Sequence, residues 1–237
     1  MKKTPQTTRL LLALLLPLLL FAGCEKEPQG TGSGTFSVSK TRQVRFALGN
    51  LAESGRSFTA HQWDFGGVFC WGTGDDPGNN SPYYQDHPTF HDWGDYIEGN
   101  WRTLSSDEWT YLLEERPDAN LKYALGTVND IQGLILLPDK WKLPNGCDFI
   151  PETKKYSDNT YSPAQWGDME ANGAVFIPAT MYDSSSGIIW DNYWTSSPWE
   201  EWHARVLSIG ELMSQAYYLG ASSRGSTHPV RLVWDIK

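Results

Sequence analysis

Three groups of side chains have the types and spacings that could do chemistry. Asp75, Asp76 and Asn79 gather the hard oxygen donors that calcium takes, but without the ordered spacing of a calcium-binding loop. His87 and His91 stand four apart beside Asp86 and Asp92, which on a helix would turn two imidazoles to one side for zinc. Pro88 falls between them and opposes that helix. Both sets lie in a long polar connection over 75–100, and the reading they support is a solvated loop pinned by Tyr83, Tyr84, Phe90 and Trp93, with no metal. Cys70 and Cys147 complete the inventory: two thiols are too few ligands for a metal centre. They leave a disulfide and a pair of buried free thiols equally open.

Catalysis ranks last. No nucleophile elbow, phosphate-binding loop or zinc-helix motif occurs. Asp64, Asp92, Glu108 and Asp191 are the carboxylates that could pair as acid and base, yet any chain of this size offers as many. No catalytic residue and no cofactor is expected.

The stretch best suited to touching another molecule lies near the C-terminus. From Tyr193 to Val233, short apolar runs alternate with turn-prone clusters. Those clusters and their borders hold Trp199, Glu200, Trp202, His203, Arg205, Tyr217, Tyr218 and Arg224. Aromatic residues and arginine are the types enriched at binding hot spots and paratopes. These eight are the candidate ligand-binding residues; Trp194, Val206, Ile209, Val230 and Leu232 are the expected scaffold beneath them.

The elements that would position them begin with an export signal. Lys2 and Lys3 precede a leucine-rich run ending Leu20-Phe21-Ala22-Gly23-Cys24, the order of a bacterial secretory leader. The run is too short, and too interrupted by Pro17, to span a bilayer. The last five residues resemble a lipobox, so residues 1–23 are expected to be removed and Cys24 to be lipidated. Loss of Lys2, Lys3 and Arg9 takes the formal charge from −9 to −12. So acidic a chain repels phosphate backbones, and nucleic acid is excluded as a partner. Residues 24–35, polar and glycine-rich, read as a flexible tether, with a single domain over 36–237.

Within that domain Val44, Phe46 and Leu48 alternate with polar or small residues, the period of a half-buried strand. Leu104-Ser105-Ser106-Asp107-Glu108-Trp109 predicts a helix opened by a capping box, with Leu104 stapled onto Trp109, a buried face of Trp109, Leu112 and Leu113, and a stop before Pro117. Ser162-Pro163-Ala164-Gln165 opens a second helix, closed by Gly173. Ala174–Ala179 reads as a fully buried strand. Strands near 193–197, 203–209, 215–219 and 229–234 follow. About nine short strands with two embedded helices indicate an α+β fold, mostly antiparallel. Trp63, Trp101, Trp109 and Trp194 are expected in the core.

Several blocks in order, among them Val44–Leu51, Phe69–Gly74, Trp101–Trp109, Gly133–Pro138, Ala174–Ala179, Tyr193–Ser197 and Val230–Val233, resemble Bacteroidetes surface lipoproteins related to the Fibrobacter succinogenes major paralogous domain. The resemblance implies a C-type-lectin-like fold of the formylglycine-generating-enzyme type. Likeness to that enzyme stops at architecture, since Cys70 and Cys147 are not placed on its copper-binding pair. Trp190-Asp191-Asn192 permutes the calcium-lectin order and has no companion Glu-Pro-Asn, so no calcium-dependent sugar site carries over. Tyr193–Ser197 and Pro229–Val233 are similar to the anchors that bound the variable region of retroelement-diversified proteins of this fold type. The expected role is a lipid-anchored, outer-membrane, surface-exposed binding module for an extracellular glycan or protein, with a structural envelope or fimbria-like component as the alternative.

Overall fold

The structure, a computed structural model, describes residues 29–72, 89–179, 181–183, 188–211 and 215–236. The expected leader, the expected lipidation site Cys24, the calcium candidates Asp75, Asp76 and Asn79, the zinc candidate His87, and Tyr83 and Tyr84, expected to pin the long loop, lie outside the described residues.

The fold is α+β, mostly antiparallel, with two α-helices among the described residues. One sheet joins the two ends of the domain. β1 (Phe36–Ser37) and β2 (Gln43–Phe46) lie beside β14 (Leu232–Ile236), which β4 (Trp101–Thr103) flanks on its other edge. A second sheet is built on the long hairpin of β10 (Ile188–Trp199) and β11 (His203–Gly210), edged by β9 (Met181–Asp183) and β12 (Tyr217–Ser223). In the third, β5 (Tyr123–Val128), β6 (Ile131–Leu136) and β8 (Val175–Pro178) are antiparallel. β7 (Thr160–Tyr161) joins β5 in parallel. A short ladder pairs β3 (Phe69–Cys70) with β13 (Thr227–His228).

Both predicted helices form by the predicted local chemistry. α1 (Ser106–Thr110) starts at Ser105, whose hydroxyl accepts from the Glu108 amide at 3.2 Å while Glu108 Oε2 accepts from the Ser105 amide at 2.9 Å. It continues as a π turn, Tyr111–Glu115, and Arg116 ends it ahead of Pro117. Glu108 is tied further to Arg102, whose Nη1 donates to it at 2.8 Å while Nε donates to Asp235 at 2.8 Å. The helix start is thereby fastened to the C-terminal strand by charge-assisted bonds. α2 (Pro163–Ala171) carries the Ser162–Gln165 box, buries Trp166 and Met169, and gives way at Gly173, φ +94°.

Alternation along β10 and β11 buries both faces of the second sheet. Tyr193, Leu207 and Ile209 join a core with Phe36, Phe46 and Trp109. Trp194 and Val206 face the opposite way, among Trp71, Trp93, Trp101, Val230 and Leu232. A third cluster packs Ile135 and Phe176 on the buried face of α2. Trp101, Trp109 and Trp194 are buried as expected. Trp63 is not: it is half-buried, stacked on the His61 ring at 4.7 Å.

One further expectation changes. Part of the expected tether is docked: the Gly32 amide donates to Phe46 O at 2.8 Å, the Leu48 amide to Gly30 O at 2.8 Å and the Asp139 amide to Thr35 O at 2.9 Å. The glycine content that reads as flexibility serves contact here, since a Cβ on Gly34 would lie 2.1 Å from Gly173 O. Of the two alternatives left open for Cys70 and Cys147, the structure takes the second: both are buried and no disulfide joins them. Among the described residues, no helix is long and apolar enough to cross a membrane.

Candidate functional site

The candidate face sits where the β10–β11 hairpin leaves the core. The ladder pairs Trp194 with Val206 and resumes at Pro198 with Ala204, so extra residues bulge out of β10 between them. The bulge is anchored from several sides. Thr195 Oγ1 donates to Arg205 O at 2.9 Å, Trp71 Nε1 to Thr195 O at 2.8 Å, and the Ser196 amide to Leu104 O at 3.0 Å.

Beyond the bulge, Trp199 pairs with His203 across a three-residue turn of Glu200, Glu201 and Trp202. Glu200 takes a left-handed φ of +53°, a conformation that costs a non-glycine residue about 1 kcal/mol. The turn is held by one residue from the next hairpin. Arg224 donates its backbone N–H to Trp202 O at 2.9 Å, its Nε to His203 O at 3.1 Å and its Nη2 to Glu200 O at 3.1 Å. Its guanidinium also lies 4.5 Å from the centroid of the buried Trp71 ring. At 5% exposure, Arg224 is a positioning residue, and the expectation that it meets a ligand is corrected.

Register decides which candidates share a face. Trp199, His203 and Ser223 are cross-strand neighbours, and Arg205 pairs with Ala221 two positions along. Trp199, His203, Arg205 and Ala221 therefore project to one side. The Arg205 guanidinium lies 3.4 Å from the Trp199 ring centroid, inside the range in which the π face attracts a cation. Trp199 is still 41% exposed and Trp202 46% exposed. Glu200 and Glu201 are exposed beside them, and His203 is half-buried. Trp199, Glu200, Trp202, His203 and Arg205 thus form one patch.

Tyr217 and Tyr218 do not join it. Tyr218 pairs with Ser208, about 17 Å along the strand from His203 at the usual rise per residue, and points to the other face. It is 54% exposed and lies over Gly220, where a Cβ would come within 2.9 Å of its ring. Tyr217 is 4% exposed, and its hydroxyl donates to Glu114 at 3.1 Å. The expectation that Tyr217 stacks on a ligand is corrected: strand alternation turns it into the first core.

No protein-family model, curated protein or solved structure matches this chain.

The four carboxylates considered for acid–base work do not converge. Asp92 accepts from the Thr103 amide, the Thr103 hydroxyl and the Gly94 amide. Glu108 closes its capping box, Asp64 accepts from the His61 amide at 2.9 Å, and Asp191 is buried in the second sheet. Among the described residues, no group of three or more His, Cys, Asp or Glu could hold a metal ion.

One residue the sequence reading passed over ties together the strands beneath the site. Arg231 is buried and donates Nε to Asn50 Oδ1 at 2.8 Å, Nη1 to Ala47 O at 3.0 Å and Nη2 to Phe176 O at 2.8 Å. Asn50 in turn donates to Tyr193 Oη at 2.9 Å. These bonds tie the chain just before β14 to β8, β10 and the segment after β2. Burial lowers the Arg231 pKa to about 10. Its only sequence signal is an arginine inside an apolar run, Val230-Arg231-Leu232-Val233.

Proposed function

We propose that this chain is a lipid-anchored binding module of C-type-lectin-like fold, tethered through Cys24 to the outer membrane and presenting the β10–β11 hairpin tip to an extracellular glycan or protein. The observation that carries the reading is the pair of exposed indoles, Trp199 and Trp202, on a turn whose three fastened carbonyls are all held by Arg224. An aromatic surface fixed in advance loses little entropy on binding, which is the logic of a preorganised paratope. Arg205 covers one face of Trp199, so the exposed remainder of the indole meets the ligand while the guanidinium flanks it. The α+β architecture and the two capped helices support the fold reading, and the leader sequence supports the location.

The test passes the intact lipoprotein, in membrane vesicles, over an array of glycans and extracellular proteins. Saturable binding is expected, weakened at least tenfold in the Trp199→Ala/Trp202→Ala double variant with the circular dichroism spectrum unchanged. Binding indifferent to that double substitution, or the absence of binding to any arrayed ligand, refutes the reading.

A further inference from the structure

The second sheet ends on a strand whose outer edge is open. β12 is the last strand beyond β11, and backbone bonds frame the ladder between them: the Gly210 amide donates to Ala216 O at 3.3 Å and the Arg224 amide to Trp202 O at 2.9 Å. Antiparallel bonding alternates, so the even-numbered residues of β12 exchange bonds with β11 and the odd-numbered ones turn N–H and C=O outward. The outward groups of Tyr217, Leu219 and Ala221 meet no partner among the described residues. Strand edges are commonly guarded by a charge, a proline or a bulge. β12 reads Tyr-Tyr-Leu-Gly-Ala-Ser-Ser and pairs with β11 without a register shift, so it has none of the three.

At its first residue this edge meets a cleft of about 910 Å³, lined by Gln215, Ala216 and Tyr217 on one side and by the end of the first helix, the start of β5 and the segment 152–154 on the other. Tyr217 and Tyr123 are in T-shaped contact, with centroids 5.2 Å apart. Their hydroxyls donate to two lining carboxylates, Tyr217 to Glu114 Oε1 at 3.1 Å and Tyr123 to Glu152 Oε1 at 3.4 Å. Glu114, Glu152 and the third lining acid, Asp118, are exposed, and none forms an ion pair among the described residues. Arg116 is buried against Asp139, and the neighbouring Lys122 donates to Pro117 O at 2.7 Å. Lys154 is the one exposed base on the lining, so the cleft carries net negative charge.

Strand register joins the two features. A strand laid along β12 places the residue opposite Tyr217 on the same side of the sheet as the Tyr217 ring, and so toward the cleft. The residue opposite Leu219 meets a half-buried leucine packed on the first core. A long basic side chain suits the first position and an apolar one the second. A second copy of β12 fits poorly: the antiparallel register that uses all three outward residues sets Ala221 opposite Tyr217, which leaves the carboxylates unmatched.

We propose that β12 is a docking edge, separate from the hairpin tip, for an extended segment of a partner protein that adds a strand to the second sheet and sends a lysine or arginine into the cleft toward Glu114 and Glu152. The backbone bonds supply affinity, and the basic side chain supplies specificity.

The test titrates the intact, isotope-labelled chain with the end-blocked heptapeptide Thr-Val-Thr-Val-Thr-Lys-Thr. Saturable shifts and slowed hydrogen exchange are expected at the amides of Tyr217, Leu219 and Ala221. Glutamate or norleucine in place of the peptide's lysine should weaken binding at least tenfold, and so should N-methylation of its second valine, whose N–H faces Leu219. Glu114→Gln/Glu152→Gln, which keeps acceptors for both phenols, should abolish the preference for lysine. Ala221→Pro, a residue that an edge tolerates where the N–H points outward, should remove binding. Trp199→Ala/Trp202→Ala should leave the affinity unchanged. Equal binding of the lysine and glutamate peptides, indifference to N-methylation, or no saturable shift at millimolar peptide overturns the proposal. A dimer of the peptide-free chain that is lost in Ala221→Pro assigns the edge to a second copy and overturns it too.

Discussion

Arg205 places its guanidinium 3.4 Å from the centroid of the Trp199 ring, across the hairpin and on the same face of the second sheet. The contact immobilises a large exposed side chain without burying it. Such a pair contributes about 0.5–1 kcal/mol at an exposed site. Arg205→Ala should therefore lower stability by less than about 1 kcal/mol while freeing the indole. Time-resolved tryptophan anisotropy, read against Trp199→Phe to isolate this ring's signal, should show faster local motion. Unchanged anisotropy would mean that the register alone holds Trp199.

Arg224 is a stronger control on the same turn, because its guanidinium bonds to two turn carbonyls and its amide to a third. Hydrogen bonds to charged groups contribute about 1.5–3 kcal/mol each. Arg224→Met should cost on the order of 3 kcal/mol in urea unfolding and speed amide exchange at residues 200–203. Arg224→Lys should recover only part, since a single ammonium cannot reproduce the planar fork that reaches both carbonyls. Full recovery by lysine would show that charge near Trp71 is what matters.

Arg231 poses a different problem, a buried cation bonded to carbonyl and amide oxygens. Replacing it with methionine removes the buried charge and leaves the Ala47, Phe176 and Asn50 acceptors without a donor. Loss of one partner from a buried polar network costs about 3–5 kcal/mol. Arg231→Met should lose that much in guanidinium unfolding, and the hydrogen-exchange protection of β8 and β14 should fall together. A loss confined to β14 would show that Arg231 does not join the sheets.

His228 supplies a pH dependence. Its Nε2 lies 2.8 Å from Ser222 Oγ, its ring packs edge-on against Trp194, and burial lowers its pKa to about 4 from 6.5. The unfolded chain therefore binds this proton first as pH falls. The stability held by neutral His228 is full above about pH 6.5 and is lost progressively down to about pH 4, by up to about 3 kcal/mol. Asp139 and Asp235, whose pKa values are lowered by their hydrogen-bonded and charged partners, add losses at lower pH. Between pH 7 and pH 5, urea midpoints should fall less for His228→Gln than for the parent chain. Parallel pH profiles for the two proteins would remove His228 from this account.

What the sequence by itself determined was local. Ser105 with Glu108, and Ser162 with Gln165, announced both helices because a capping box needs only three residues of separation and no knowledge of the rest of the chain. The alternation at Val44 and Phe46 and the apolar run Val175–Ile177 were legible for the same reason. The sequence also named Trp199 and Trp202 among the candidate contacts, because aromatic residues in turn-prone clusters are the types enriched at binding surfaces. Tertiary structure alone decided the rest. Tyr217 and Tyr218 look alike in sequence, and strand register sent one into the core and the other to the opposite face from the hairpin tip. Gly34 reads as flexibility until Gly173 O is seen where its side chain would be. Arg224 and Arg231 are ordinary arginines until their acceptors arrive from more than twenty and more than fifty residues away. Such partners are set by the pairing of distant strands, whose closure no short stretch of sequence encodes.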